Sequence, residues 1–417
     1  MAEPLPRPGR AGRGYRRPRL RFAGGHQITL LQNGSEFFPA LIDSIDRARH
    51  SVALETYIFN DDPSGRQVAT ALARAAARGV SVRVVVDGFG TVMLQGEVAK
   101  IMGGSGVEVR VFRPFRTIIG MRLRVLRRLH RKLCVVDGCE AYAGGINVLD
   151  DRVDPRHGLL DAPRLDFALR VVGPLVADID QAMRRLWHEA DSGSPLERFP
   201  GPVHPAGEPS LDHRATGFVE WATFESIHAA LVLRDNVRNR RTIERVYLRA
   251  LGRARREVLI ASAYFLPGRR FRQALCAAAR RGVRVRLLLQ GRVEYRLPHL
   301  GTLSLYESLL REGVEIIEYG SSFLHAKVAI ADDWATVGSA NIDPFSLLLA
   351  REANVVVRSR SFAEALQSRL EREIAIGGQP VGLDRLAGES SWRRLLTRAA
   401  WLMMRIGVAI SGSGLRY

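Results

Sequence analysis

Leu129–Asp137 reads LHRKLCVVD, and Leu324–Asp332 reads LHAKVAIAD. Both contain His-x-Lys-x4-Asp. Both run on into a turn of small residues that ends in Asn: Gly144-Gly145-Ile146-Asn147 and Gly338-Ser339-Ala340-Asn341. Residues two apart on a strand point to the same face. His130 and Lys132 therefore project together, as do His325 and Lys327. One His-x-Lys would be a weak signal, because a lone strand histidine is usually structural. Two copies in matching surroundings are a strong one.

The surroundings do match. Ala71–Gly88 reads ALARAAARGVSVRVVVDG and Ala274–Gly291 reads ALCAAARRGVRVRLLLQG. Each predicts an Ala-rich helix, a C-terminal glycine (Gly79, Gly282) and an apolar strand. A further strand precedes each, VALETYIF at Val52–Phe59 and VLIASAYFL at Val258–Leu266. The repeated β-α-β order predicts an α/β fold with helices covering a central sheet. The chain divides into a flexible basic arm over 1–22, a first unit over 23–190 and a Pro-rich linker over 191–215. A second unit over 216–380 and a basic amphipathic tail over 381–417 complete it.

The motif pair suits attack on a phosphodiester. The substrate is anionic, so lysine and Asn or Ser donors must neutralise its oxygens and stabilise the pentacoordinate transition state. One imidazole can attack phosphorus while a second protonates the departing oxygen and then activates the acceptor. Two copies supply both histidines and both lysines with no metal and no cofactor.

These motifs resemble the phospholipase D superfamily and, within it, bacterial cardiolipin synthases of the B type, which lack amino-terminal transmembrane helices. The resemblance runs from about Gln27 to Arg358. It includes Leu54-Glu55-Thr56-Tyr57-Ile58-Phe59, Val86-Asp87-Gly88-Phe89-Gly90 and Ala263-Tyr264-Phe265-Leu266-Pro267. It implies two similar domains, each a central mixed sheet flanked by helices, sharing one active site at their interface. It places His130, Lys132, His325 and Lys327 at the centre, with Asn147, Ser339 and Asn341 on the phosphate. Asp166 and Glu352 fit the positions of carboxylates that orient the imidazoles. Asp137 and Asp332 complete the motifs, with the role of orienting the motif turn rather than moving protons. By analogy, His130 is the nucleophile and His325 the acid/base.

The implied reaction forms cardiolipin and glycerol from two phosphatidylglycerol molecules through a phosphohistidine. The alternative is a hydrolase or nuclease of the same superfamily, with water as acceptor. A non-catalytic scaffold binding anionic lipid or nucleic acid is the third reading, and the two intact motifs oppose it.

Composition agrees with an enzyme acting at an anionic surface. The 417 residues are 46% hydrophobic and 25% charged, in the range of a folded protein, with a net charge of +19. That charge draws the chain to polyanions, either nucleic acid or an anionic membrane. Phe112–Leu129 and Trp392–Ile410 interleave arginines with large apolar residues, as interfacial helices do. They favour the membrane, with phosphatidylglycerol and cardiolipin as partners and no nucleic acid. No signal peptide or transmembrane run is visible, and Arg398 and Arg405 interrupt the longest candidate. The expectation is a protein peripheral on the cytoplasmic face of a bacterial cell membrane. Cys134, Cys139 and Cys276 show no pairing pattern and read as reduced, buried thiols. Glu55 and Tyr57 fit a substrate channel or the core equally well. His299 and the remaining histidines read as surface or packing residues.

Overall fold

The computed structural model describes residues 20–91, 96–113, 128–154, 157–190, 222–235, 239–388 and 391–410. The linker, nearly all of the amino-terminal arm and most of the first basic-apolar stretch lie outside the described residues.

The predicted helix–strand pairs form for local reasons. In the helix Pro63–Ala77, the Asp62 carboxylate accepts the Gly65 N–H at 2.8 Å, and Pro63 occupies the first turn, where no N–H is needed. Val68, Ala71, Leu72 and Ala75 form its buried row. Gly79 (φ 86°) and Gly282 (φ 85°) then end this helix and its counterpart Arg269–Arg280 in the left-handed conformation. Each hands the chain to a strand buried along most of its length.

The first repeat contributes strands β1 (Ala23–Gln32), β2 (Ser51–Thr56), β3 (Ser81–Asp87), β4 (Glu108–Phe112), β5 (Leu133–Val136) and β6 (Glu140–Gly144). A small hairpin of β7 (Val153–Asp154) and β8 (Gly158–Leu159) precedes β9 (Phe167–Val172). The second repeat contributes β10 (Thr223–Arg234), β11 (Glu257–Ser262), β12 (Arg284–Gln290), β13 (Glu315–Tyr319), β14 (Lys327–Ala331), β15 (Trp334–Gly338), β16 (Glu352–Arg358) and β17 (Gly378–Val381).

Among the described residues these form one mixed sheet, in the order β17-β13-β12-β11-β14-β15-β16-β10-β1-β9-β6-β5-β2-β3-β4. The order is symmetric about the antiparallel β1–β10 pair, apart from the added edge strand β17. Each repeat has three parallel strands on the outside and antiparallel strands toward the middle. The repeats are thus the two halves of one continuous sheet.

Three large apolar clusters follow from this. One lies under the helices of each half, and the third is shared. The shared cluster joins Leu133, Leu165, Phe167 and Leu169 to Leu324, Val328, Val355 and Phe362. The motif segments therefore meet inside a common core.

Two expectations need correction. Only Cys134 is buried, whereas Cys139 and Cys276 are partly exposed. Strand periodicity also extends the motif strands too far. β5 starts at Leu133 and β14 at Lys327, so both histidines sit in the extended segments just before them.

Candidate active site

The two motif segments are stitched to the opposite repeat before any side chain is considered. Leu129 forms a parallel bridge with Arg351, and Leu324 forms the equivalent bridge with Leu165. The His130 N–H donates to Arg351 O at 2.9 Å, and the His325 N–H to Leu165 O at 2.8 Å. The residue after each bridging partner is a carboxylate: Glu352 in one case, Asp166 in the other. Each carboxylate consequently arrives beside the histidine of the other half.

Both oxygens of Glu352 lie 3.0 Å from His130 Nδ1, and Asp166 Oδ2 lies 2.6 Å from His325 Nδ1. A carboxylate accepts, so Nδ1 carries the proton and Nε2 is left for chemistry. Both carboxylates are buried. Glu352 also accepts from Ser339 Oγ at 2.5 Å. Asp166 accepts the Phe167 N–H at 2.8 Å, and its own N–H donates to Asn33 Oδ1 at 3.1 Å.

The lysines lie beside the histidines. Lys132 Nζ donates to His130 O at 2.8 Å, and Lys327 Nζ donates to His325 O. Both lysines are buried. Burial pulls Lys132 down to about 7, helped by the charge of Lys327, and burial lowers Lys327 as well. Burial also lowers His130, with Glu352 opposing. His325 is held well below its ordinary value by burial and then by the two lysines. Burial raises Asp166 to about 6 against the pull of Lys327. An anionic ligand entering between the lysines would offset their charge and raise the basic groups again.

The remaining expected residues divide. Asn147 and Asn341 are buried at equivalent places. Asn147 Oδ1 accepts the Ile58 N–H at 3.1 Å, while Asn341 Oδ1 has no partner among the described residues. Ser339, expected on the phosphate, places its hydroxyl on Glu352 Oε2 at 2.5 Å, and its oxygen accepts the Ala353 N–H at 3.0 Å.

Asp137 and Asp332 stand at the far ends of their strands, in left-handed turns (φ 49° and 56°). Asp137 accepts the N–H groups of Arg49, His50 and Ser51 within 2.8 Å. Asp332 does the same for Arg255, Arg256 and Glu257 within 3.1 Å. They fix the entry into β2 and β11.

Glu55 is a core residue, paired with buried Arg131 at 2.8 Å. Tyr57 faces the site, its ring 5.0 Å from that of His130.

Sequence reasoning missed the pair that holds the motifs from behind. Asp87 accepts the Leu129 N–H at 2.8 Å, and Gln290 accepts the Leu324 N–H at 3.0 Å. The signal was present, since both end the apolar strand of their repeat, in VVVDG and LLLQG.

The family model described as cardiolipin synthase, PLD-like domain, matches the chain twice, over residues 41–157 and 247–374. The chain belongs to the cardiolipin synthase family of phospholipase D-like proteins. Within this family it is 38% identical to cardiolipin synthase B of Escherichia coli K12 over 402 residues, spanning 93% of this chain and 90% of the relative. It is 29% identical to cardiolipin synthase A of Pseudomonas entomophila, over 85% of this chain and 70% of that one. The fold is also that of the crystal structure of phosphatidylserine synthase from Haemophilus influenzae. The TM-score there is 0.65 at 13% identity, covering 95% of this chain and 97% of the other. The motif segments of this cardiolipin synthase family member meet where its two halves join.

Proposed function

We propose that the protein is a phosphatidyl transferase forming cardiolipin and glycerol from two phosphatidylglycerol molecules. The observation that carries this reading is the crossed pair of imidazole–carboxylate contacts, His130 with Glu352 and His325 with Asp166. It supplies two Nε2 atoms and two lysines in one buried site.

In the first step His130 Nε2 bonds to phosphorus as the bond to the headgroup oxygen breaks. His325 gives that oxygen its proton, so neutral glycerol leaves. Glu352 compensates the charge left on the phosphorylated imidazole. In the second step His325 takes the proton from a glycerol hydroxyl of the second phosphatidylglycerol. The oxygen bonds to phosphorus, the P–N bond breaks, and cardiolipin forms with His130 restored. Lys132, Lys327, Asn147 and Asn341 neutralise the non-bridging oxygens throughout.

The membrane surface is the second partner proposed. The helix Ser391–Ile410 packs Thr397, Ala400 and Met404 into the second half, against the helix Arg296–Leu310. Its other face exposes Trp392, Leu395, Leu396, Leu402, Met403 and Ile406 at helical spacing. A tryptophan at one end and long apolar side chains along one face suit insertion at the headgroup–acyl boundary of an anionic bilayer. No helix among the described residues is long and apolar enough to cross a membrane.

Purified protein incubated with phosphatidylglycerol vesicles and analysed by lipid mass spectrometry tests the reaction. Cardiolipin with glycerol is expected. Phosphatidic acid alone would mean hydrolysis instead.

A further inference from the structure

Tyr57, the residue after β2, packs against two groups of its own repeat. One is the His130 imidazole: the two rings meet edge to face, with centroids 5.0 Å apart and planes inclined at 66°. The other is Gly90, where a Cβ would stand 2.8 Å from Tyr57 Cε2. Lys132 Nζ lies 5.4 Å from the centre of the same ring, within the range of a cation–π contact. The ring therefore borders both basic groups of the first motif.

The backbone around Tyr57 is held as closely. The Thr91 hydroxyl donates to Tyr57 O and accepts the Phe59 N–H, both at 3.0 Å, while Asn147 Oδ1 accepts the Ile58 N–H at 3.1 Å. The Tyr57 hydroxyl has no hydrogen-bond partner among the described residues. What this position supplies is the ring.

The second repeat has no such ring. The registers of β2 on β5 and of β11 on β14 make Ala263 the counterpart of Tyr57. Its N–H donates to Ala326 O, and its side chain is a methyl group only. Among the described residues no aromatic ring packs against His325. His325 is thus oriented at Nδ1 by Asp166, whereas His130 meets both oxygens of Glu352 at Nδ1 and Tyr57 along its ring. A contact at one atom lets an imidazole pivot about it. A second contact on the ring removes that freedom.

We propose that Tyr57 is the positioning residue of His130, holding its Nε2 on the line of attack at phosphorus, and that this asymmetry makes His130 the nucleophile and His325 the acid/base. The assignment rests on the phosphatidyl-transfer reading above. A nucleophile makes and breaks one bond along one line, so a fixed ring favours it. The acid/base serves two oxygens in turn, that of the departing glycerol and that of the entering hydroxyl, and a less constrained ring suits it.

The test uses the full-length protein on phosphatidylglycerol and on phosphatidyl-p-nitrophenol, each in mixed micelles, following release of the alcohol in the first turnover. p-Nitrophenolate departs with the electron pair of the P–O bond and needs no proton, so its release reads the nucleophile without the acid. Tyr57→Leu removes the ring, and Tyr57→Met serves if that variant fails to fold. Either should slow the first turnover by about tenfold on both substrates. That is short of the roughly 10²-fold that a 1 Å misplacement costs, because Glu352 still holds Nδ1. KM should move less than kcat. Tyr57→Phe should recover most of the lost rate. His325→Ala should lose far less on the p-nitrophenyl substrate than on phosphatidylglycerol, whereas His130→Ala should lose both activities.

A loss confined to KM, a loss that vanishes on the p-nitrophenyl substrate, or a Tyr57→Phe protein as slow as Tyr57→Leu would overturn the positioning role. The products report separately on the underlying reaction. Phosphatidic acid in place of cardiolipin would overturn transfer, while the first-turnover comparison still decides the role of Tyr57. Absence of release of either alcohol from the wild-type protein would overturn both.

Discussion

Asp166, from the first repeat, meets His325, from the second, at 2.6 Å, and Glu352 returns the contact to His130 at 3.0 Å. Neither half therefore holds a complete histidine–carboxylate pair by itself. Asp166→Asn and Glu352→Gln keep the side-chain shape but can present an amide N–H to Nδ1, favouring the wrong tautomer. Each should lower kcat by about 10³-fold or more, the scale seen when a histidine loses its orienting carboxylate. Steady-state glycerol release checks this, with circular dichroism to show that the fold survives.

His130→Ala and His325→Ala should each abolish turnover, because nucleophile and acid act in one cycle. Mixing the two inactive proteins should restore nothing if each chain's site is built from its own two halves. Lys132→Ala and Lys327→Ala should each lose at least about 10²-fold, as removal of a transition-state charge donor does. Since these lysines supply the positive charge, a chelator should leave the rate unchanged. Lipid mass spectrometry across the set measures all of these outcomes.

Gly145 occupies the place taken by Ser339 in the other half. A Cβ at Gly145 would stand 2.2 Å from Asp166 Oδ1, so Gly145→Ala must push the carboxylate away from His325. The expected result is a folded protein with a melting temperature within a few degrees of wild type and a kcat lowered by about 10²-fold or more. Unchanged kcat would show that the exact placement of Asp166 is unimportant.

Lys132 sits at about 7 because burial disfavours its charged form. A bound phosphodiester anion favours that form, so binding above neutral pH must take up a proton. The part of the affinity for dimethyl phosphate that Lys132 supplies should be flat below about pH 7, the phosphate's own charge being constant. It should weaken by up to about tenfold per pH unit above it, until the pKa of the bound state is reached. Titration calorimetry in buffers of different ionisation enthalpy should find uptake approaching one proton near pH 8. Lys132→Arg, which stays charged, should abolish that uptake.

The same pKa shift has a consequence for stability. Lys132 has a folded pKa below its unfolded value, so the unfolded chain binds more protons between about 7 and 10.5. This group's contribution to stability should rise with pH across that window. Asp166, raised from 3.8 to about 6, works in the opposite sense, its contribution falling as pH climbs from about 4 to 6. Melting curves of Lys132→Met and Asp166→Asn against pH should lose these respective slopes.

The helix Ser391–Ile410 has one face buried on the second half and an opposite apolar face exposed, so the proposed docking can be tested apart from folding. Replacing Trp392, Leu395, Leu402 and Met403 together by polar residues should weaken binding to anionic vesicles by at least about tenfold, since each apolar side chain buried is worth about 1.5–3 kcal/mol. The melting temperature and the rate on detergent-dispersed lipid should hold. Truncation before the helix should instead destabilise the protein, because it uncovers the surface against which Ala400 and Met404 are buried. Sequence pattern alone reads this segment as a dock appended to a finished fold. The structure packs one face of it into the second half.

The local sequence determined the repeated elements. Helix periodicity, the Asp62 cap and the terminal glycines Gly79 and Gly282 are short-range effects, and they place each helix–strand pair without reference to the rest of the chain. The motif residues were legible for the same reason, since His-x-Lys spacing fixes which side chains share a face.

What only the tertiary structure decided is which carboxylate serves which histidine, and what Ser339, Glu55 and Gln290 do. Those answers depend on the β1–β10 junction joining the halves into one sheet, so that the Leu129–Arg351 and Leu165–Leu324 bridges cross between repeats. Pairings between residues 159 and 222 positions apart are long-range. No periodicity or spacing encodes them, because they arise when two apolar faces, each incomplete by itself, bury one another.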